Sequence, residues 1–468
     1  MNKKLTLSFV SALVATSAMA SVVTYDPDNT PTKITGDALV KLSVPTGVEE
    51  AVFDGAGRTD LYYVIMNTAN PNEDADITIV NGFSAVRNGT GEILTFKQAA
   101  AGAGKDAVMT LKQGTYNFAT SDLSELIITA QTSAADINDT TRAIVFDADT
   151  TSNIFTSTAR FQGINGAKIV SKGNMNIYNT AYTTAVPSNV AYGQLYTIGT
   201  FIQESGTITA NDLLVESVNA RFNGTLNLKQ AVASGSHYPI DIKDAKSLTL
   251  GADAKVTTTA GSRIRLGSNS TLTVESGEKS IQADLILIKG SNAKLNLAGK
   301  NSFVHTNGKF ETTLLSYTGK DNIRIAVSET NTFGATFFAA SDNWKETNES
   351  VKFYIDFDFT SDDQYLNLGK IYTGDTCTGI DPVFYVKDFQ NGYLRATEIV
   401  KDGSVATVGD TKLYIFNEAS QTYEFVESMW VGDATNGYIL TIAVPEPAEW
   451  AMLFGAIALG FAIYRRRK

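Results

Sequence analysis

The chain has 468 residues, a formal net charge of −11 at pH 7 and 19% charged residues, with 37 glycines against nine prolines. That length exceeds a typical single domain, so two or more structural units are expected. An acidic chain repels nucleic acid and anionic lipid, which argues against a DNA or RNA partner. One cysteine, Cys377, excludes a disulfide-stapled scaffold and leaves backbone pairing and apolar burial to hold the fold.

The chain opens with Lys3 and Lys4, followed by an apolar or small stretch over 5–15 and the small-x-small run Ala18-Met19-Ala20. This is the pattern of a secretory signal peptide over 1–20, with cleavage between Ala20 and Ser21. Between this segment and the C-terminal 24 residues, 21–444 carry 32 Lys+Arg and 47 Asp+Glu, a net of −15.

Residues 21–129 hold short strand signals, among them Ile77-Thr78-Ile79-Val80, Ile93-Leu94-Thr95-Phe96, Val108-Met109-Thr110-Leu111 and Leu126-Ile127-Ile128-Thr129. They recur every 15 to 18 residues and are expected to form an N-terminal β region and cap. From 130 to 205 the pattern continues imperfectly, as in Ala143-Ile144-Val145-Phe146 and Ala167-Lys168-Ile169-Val170, with an insertion over 178–196.

Between about 206 and 305 the periodicity is clear. Apolar-polar-apolar triplets begin at Leu226, Leu248, Leu272 and Leu295, spaced by 22, 24 and 23 residues. A second series begins at Ile240, Ile264 and Ile286, and a weaker third places Val232, Val256 and Ile281. Such triplets put two side chains on one face of a strand. Three strands per repeat of about 23 residues is what a coil of a parallel β-solenoid requires, because stacking the coils buries a continuous apolar column. A β-sandwich has strands at similar intervals, but three co-registered series favour the solenoid over 130–310. Parallel crossovers are right-handed, so the expected fold is all-β, a right-handed parallel β-helix.

Composition shifts near residue 310. Residues 206–310 hold four aromatics, whereas 311–444 hold 21, including those of the alternating run from Val351 to Phe359. Bulky rings suit a wide core between sheets, so 311–444 is expected to be a β-rich module capping the solenoid's open end. Exposed rings there would alternatively stack on sugars.

The chain closes with Pro445-Glu446-Pro447, an apolar stretch over 448–464 and the cations Arg465, Arg466, Arg467 and Lys468. The prolines break regular structure ahead of the stretch. The cations are expected to stay in the cytoplasm by the positive-inside rule. The core of the span, 450–464, is about 22 Å of helix, shorter than the roughly twenty residues of a stable transmembrane segment.

Motif, apolar segment and basic tail together resemble the PEP-CTERM sorting signal of Gram-negative bacteria. The resemblance covers 445–468 only. It implies recognition of Pro445-Glu446-Pro447 by an exosortase-type sorting protease, a single C-terminal transmembrane helix in the precursor, and delivery to the cell surface or extracellular matrix. It implies nothing about the activity of the cargo.

Chemistry-bearing motifs are sparse. His237 and His305 are about three repeats apart, and no zinc-protease, nucleophile-elbow, phosphate-loop or paired-cysteine pattern occurs. The glycine-rich calcium nonapeptide of secreted β-rolls is absent too. Acidic pairs stand at Asp147 with Asp149, Asp356 with Asp358, and Asp362 with Asp363. Residues i and i+2 of a strand share a face, so Asp356 and Asp358 could hold Ca²⁺ or serve glycoside hydrolysis. The plainer reading is a solvated outer face.

Parallel β-helices include pectin-cleaving enzymes that line one strand face with acids or bases. Here that face would carry Asp241, Arg265 and Leu287 in successive coils, a poor catalytic set. The expectation is therefore a non-enzymatic, adhesin-like or structural surface protein with no cofactor or metal and with an extracellular polysaccharide as candidate partner. A secreted polysaccharide-acting lyase or hydrolase is the alternative. An autotransporter passenger would need a C-terminal membrane barrel, for which no room remains after residue 310.

Overall fold

The computed structural model describes residues 21–35, 39–68, 74, 76–97, 106–131, 142–183, 190–230, 238–259, 263–275, 285–288, 292–299, 309–311, 322–332, 336–337, 352–373, 383–401, 404–405, 412–433 and 435–442. Every regular element among them is a β-strand, and the strands hydrogen-bond in largely parallel ladders that make up three sheets.

The first ladder starts at Ser21–Thr24, Leu39–Val44 and Tyr63–Thr68 and reaches Glu398–Lys401. The second starts at Thr32–Lys33 and Glu50–Asp54 and reaches Lys412–Asn417. The third runs from Arg58–Leu61 to Lys255–Thr257, and a separate short set joins Asn331–Thr332, Leu366–Asn367 and Leu394–Ala396. In each ladder a strand pairs with its counterpart one repeat earlier and one repeat later, an arrangement compatible with a β-helix.

Parallel register without slip stacks like on like. In the second ladder one inward column comprises Ala51, Ile77, Met109, Ile144, Ile169, Phe201, Ala220, Leu248, Leu272, Leu295, Ile325, Ile355, Val386 and Ile415. All but Ile415 are at most 1% exposed. Each large aliphatic member contributes on the order of 1.5–3 kcal/mol by leaving water, and no member can shift alone without breaking backbone pairing.

The register re-sorts part of the sequence periodicity. Leu248, Leu272 and Leu295 do align, as do Ile240, Ile264 and Ile286. Leu226 does not belong to the first series: it pairs with Ile208 and Val256 in the third ladder, and Ala220 takes its place beside Leu248. The three strands of a repeat have similar triplets at similar intervals, so spacing alone misassigned it. Val232 and Ile281 lie outside the described residues. In the N-terminal region the 15 to 18 residue recurrence is an alternation between ladders. Ile77 pairs with Met109 in the second, whereas Leu94 pairs with Ile128 in the first.

Between Thr158 and Phe222 the first and second ladders merge. Thr158–Ser171, Gln194–Gln203 and Leu213–Phe222 each serve both, bending at register shifts after Gly163 and Gly199. Gly199 has φ of +71°, and a Cβ there would overlap the carbonyl oxygen of Gly163, so the corner requires glycine on two counts.

The compositional boundary near 310 does not interrupt the second ladder: Leu295 pairs with Ile325, and Ile325 with Ile355. Nor are rings confined to the later part. A chain of edge-on or tilted contacts links Phe83, Phe118, Phe146, Phe161, Phe201 and Phe222, with centroids 5.4–6.5 Å apart. Small register partners make room, as Ala85 does for Phe118 and Ala130 for Phe96.

The first and second ladders and the separate short set end in antiparallel pairs. Glu398–Lys401 meets Ser404–Val405, Lys412–Asn417 meets Thr422–Val426, and Leu394–Ala396 meets Gly437–Ile442, which pairs in turn with Ser428–Asp433. A reversed strand at the end of each of these stops parallel growth, one of the ways in which sheet edges are protected.

Two glycine substitutions separate backbone strain from steric overlap. Gly47→Ala, at φ +81° with open space around it, should cost about 1–2 kcal/mol. Gly199→Ala should cost on the order of 3–5 kcal/mol, read as the difference in unfolding free energy in urea. Equal losses would refute the close approach at the corner.

Candidate functional site

The outward side of the first ladder gathers a series of paired charges and tyrosines. Because register is parallel, one outward position per strand forms a line along the ladder. In order it holds Leu39, Tyr63, Glu92, Ile127, Arg160, Tyr196, Leu214, Asp241, Arg265 and Leu287, continuing to Glu311. Tyr63 and Glu92 meet across a local register irregularity, with the tyrosine hydroxyl donating to Glu92 Oε2 at 3.2 Å. The nine members from Leu39 to Arg265 are half-buried, as expected for residues lying flat on a strand face. The line has a period of three strands: one aliphatic residue, then two hydrogen-bonding ones.

The guanidinium groups are charge-paired, although Arg160 Nε is buried without a hydrogen-bond partner among the described residues. Arg160 Nη2 lies 2.6 Å from Glu125 Oε1, and its guanidinium covers the Tyr196 ring at 4.9 Å. The Tyr196 hydroxyl donates to Glu216 Oε2 at 2.6 Å. Three strands on, Arg265 Nε donates to Asp241 Oδ1 at 2.6 Å, and its Nη2 bonds the other carboxylate oxygen. Lys243 Nζ adds a contact to Asp241 at 3.2 Å, while Arg265 covers the Tyr238 ring at 4.7 Å. Guanidinium, carboxylate and ring support one another, which holds planar groups in fixed orientations.

Burial, reinforced by the hydrogen bond to Glu216, pushes the Tyr196 phenol up to about 12. Burial also raises Tyr63. A phenol held protonated far above neutrality is a hydrogen-bond donor and not a general base. The line thus offers donors, acceptors and aliphatic steps, a set suited to recognition rather than proton transfer.

The sequence-derived candidate face is part of this line. Asp241, Arg265 and Leu287 are in register as expected, and Asp241 and Arg265 form an ion pair. Tyr63, Glu92, Arg160, Tyr196 and their partners Glu125 and Glu216 escaped sequence reasoning. The intervals between them vary with loop length, so no fixed spacing marks them. The weak signal available was polar residues inside apolar triplets, such as Arg160 between Ala159 and Phe161.

The acidic pairs are less convergent. Asp149 accepts the Gln113 amide of the preceding repeat, while Asp147 accepts the Ala148 amide within its own turn. Asp363 accepts from Ser361. Asp356 and Asp358 are exposed on one strand face, with Lys387 in register with Asp356. Among the described residues no group of three or more His, Cys, Asp or Glu is placed to hold a metal. Cys377, His237 and His305 lie outside them.

The outward tyrosines of the second ladder form a closed stack. Tyr354 and Tyr385 stack at 4.8 Å and Tyr385 and Tyr414 at 4.7 Å, with planes within 15°. Arg324 covers the far side of Tyr354 at 5.3 Å, and Phe425 meets Tyr414 edge-on at 5.6 Å. Tyr423, from the terminal hairpin, packs edge-on against both Tyr354 and Tyr385. Both faces of Tyr385 are therefore occupied by other rings, which leaves neither for stacking on a sugar. The stack fastens the hairpin Lys412–Asn417/Thr422–Val426 to the ladder.

Among the described residues no helix is long and apolar enough to cross a membrane. The expected span 448–464, the motif Pro445, Glu446 and Pro447, the tail from Arg465 to Lys468, and Ala18 and Ala20 all lie outside them. Ser21 opens the first strand of the first ladder. No protein-family model, curated protein or solved structure matches the chain.

Two measurements follow from these contacts. A raised phenol pKa favours the fold while the phenol is neutral. Its stabilisation is therefore complete below the ordinary value of 10.0 and is lost as pH climbs through about 12. Tyr196→Phe should reduce that alkaline loss in unfolding midpoints measured across this window; an unchanged slope would contradict the Glu216 contact. Tyr385→Ala removes two stacked pairs, about 1–3 kcal/mol. It should speed limited proteolysis within Thr422–Val426 more than elsewhere.

Proposed function

We propose that the chain is an exported, surface-displayed or matrix-released protein of structural or adhesive role, with a right-handed parallel β-helix as its body. The observation that supports this best is the uninterrupted inward column from Ala51 to Ile415. A stack of that length makes a stiff, extended support whose outer surface can be presented away from its attachment point. In this reading 1–20 direct export and are removed at Ser21. The single transmembrane helix within 448–464 holds the precursor, with Arg465 to Lys468 in the cytoplasm. A sorting protease of the exosortase type acts at Pro445-Glu446-Pro447.

The enzymatic alternative is supported less well. Along the outward line of the first ladder the charges are countered by one another, with Asp241 bound by Arg265 and Glu125 by Arg160. The tyrosine between them is held protonated. A structural role asks only that such groups be paired.

Sorting is tested by Glu446→Ala and Pro447→Ala in the native host. Both variants should accumulate as unprocessed precursor in the membrane fraction, while the parent chain yields a mature C-terminus near residue 445 by mass spectrometry. Normal processing of both variants would refute the assignment of the motif.

A further inference from the structure

We propose that the outward line of the first ladder, from Tyr63 to Arg265, binds an uncharged, extended glycan chain laid along the ladder axis. This rests on the proposed display outside the cell for its biological setting, but not for its chemistry. Strands in a sheet are spaced about 4.8 Å, so the three-strand period repeats every ~14 Å. Within each period one aliphatic step, Ile127 or Leu214, is followed by two planar polar side chains. A ligand that matches must be linear and must alternate C–H surface with paired hydroxyls along its length. A polysaccharide has both properties.

The class of ligand follows from what the line lacks. The guanidinium of Arg160 has Glu125 as its countercharge, and that of Arg265 has Asp241. Each guanidinium of the line is thus countered among the described residues, Lys243 sharing Asp241 with Arg265, and the net −15 of residues 21–444 repels a polyanion. An extended peptide would seek backbone pairing at a sheet edge, but the N–H and C=O groups beneath this line belong to the ladder. What remains is recognition by side chains alone. Guanidinium, carboxylate and phenol groups locked in orientation suit vicinal hydroxyls, each of which donates and accepts. The tyrosine stack of the second ladder has its ring faces covered and is not part of this surface.

Affinity electrophoresis of the full chain in detergent tests the proposal. Native gels would contain hydroxyethylcellulose, dextran, glucomannan or, as the acidic comparison, alginate. At least one neutral polymer should retard the protein and alginate should not. The double variant Tyr196→Ala/Leu214→Thr should weaken retardation about tenfold or more, and Arg160→Lys, which keeps the charge but loses the planar fork, should weaken it too. Thr273→Ala, on the second ladder, should bind as the parent does. Circular dichroism melts establish that each variant is folded; Arg160→Lys decides if the double variant is not. The proposal is overturned if no neutral polymer retards the protein, if alginate retards it as strongly, or if folded variants of the line bind like the parent. These outcomes are independent of sorting, which membrane fractionation reads separately.

Discussion

Parallel backbone pairing between successive repeats is the constraint on which the rest of this structure depends. In a parallel ladder every residue is tied to a partner one repeat away, and a slip by one residue would turn the whole apolar set outward. The inward column from Ala51 to Ile415 keeps its register although the repeats differ in length. Length differences are absorbed between strands, where loop closure costs little per added residue. The same register that aligns the core also aligns the surface. A single outward position becomes a line of side chains, and that is how distant residues such as Tyr63 and Arg265 come to share one surface.

The two regions of aromatic richness solve different problems. In the earlier part, rings from Phe83 to Phe222 fill the interior, with alanine partners such as Ala85 beside Phe118 and Ala220 beside Phe201 making room for them. In the later part, Phe353 and Phe384 occupy the interior, while Tyr354, Tyr385 and Tyr414 stack outside and hold the terminal hairpin. Reversal of strand direction at the ends of the first and second ladders complements this closure. Stacked parallel strands would otherwise offer a template for further strands.

The outward line of the first ladder combines rigidity with neutrality. Ion pairs on a protein surface contribute little to stability, so the Arg160–Glu125 and Arg265–Asp241 pairs matter more for orienting planar groups than for holding the fold. Tyr196 shows the same economy of contacts: it lies under Arg160 and donates to Glu216, which fixes its hydroxyl and keeps it protonated. Such a surface holds its hydrogen-bonding groups in fixed orientations.

Much of this was legible in the amino-acid order. Alternating apolar triplets between 206 and 305 are enough to give strands, repeats and parallel stacking, because side chains alternate across a strand with a period of two whatever surrounds it. The export and sorting signals expected at the two ends rest on local composition and lie outside the described residues. Pairing was less legible. Leu226 looked like the predecessor of Leu248, and the recurrence of 15 to 18 residues looked like one repeat when it was two interleaved ladders. Of the candidate face, only Asp241, Arg265 and Leu287 were visible, since they fall where repeat length is nearly constant. Sequence by itself therefore determined the strand content and the repetitive core, both of which depend on short-range periodicity. Only the tertiary structure decided which strand lies beside which, and so assembled the outward line, because loops of unequal length erase from the sequence the register that hydrogen bonds restore in space.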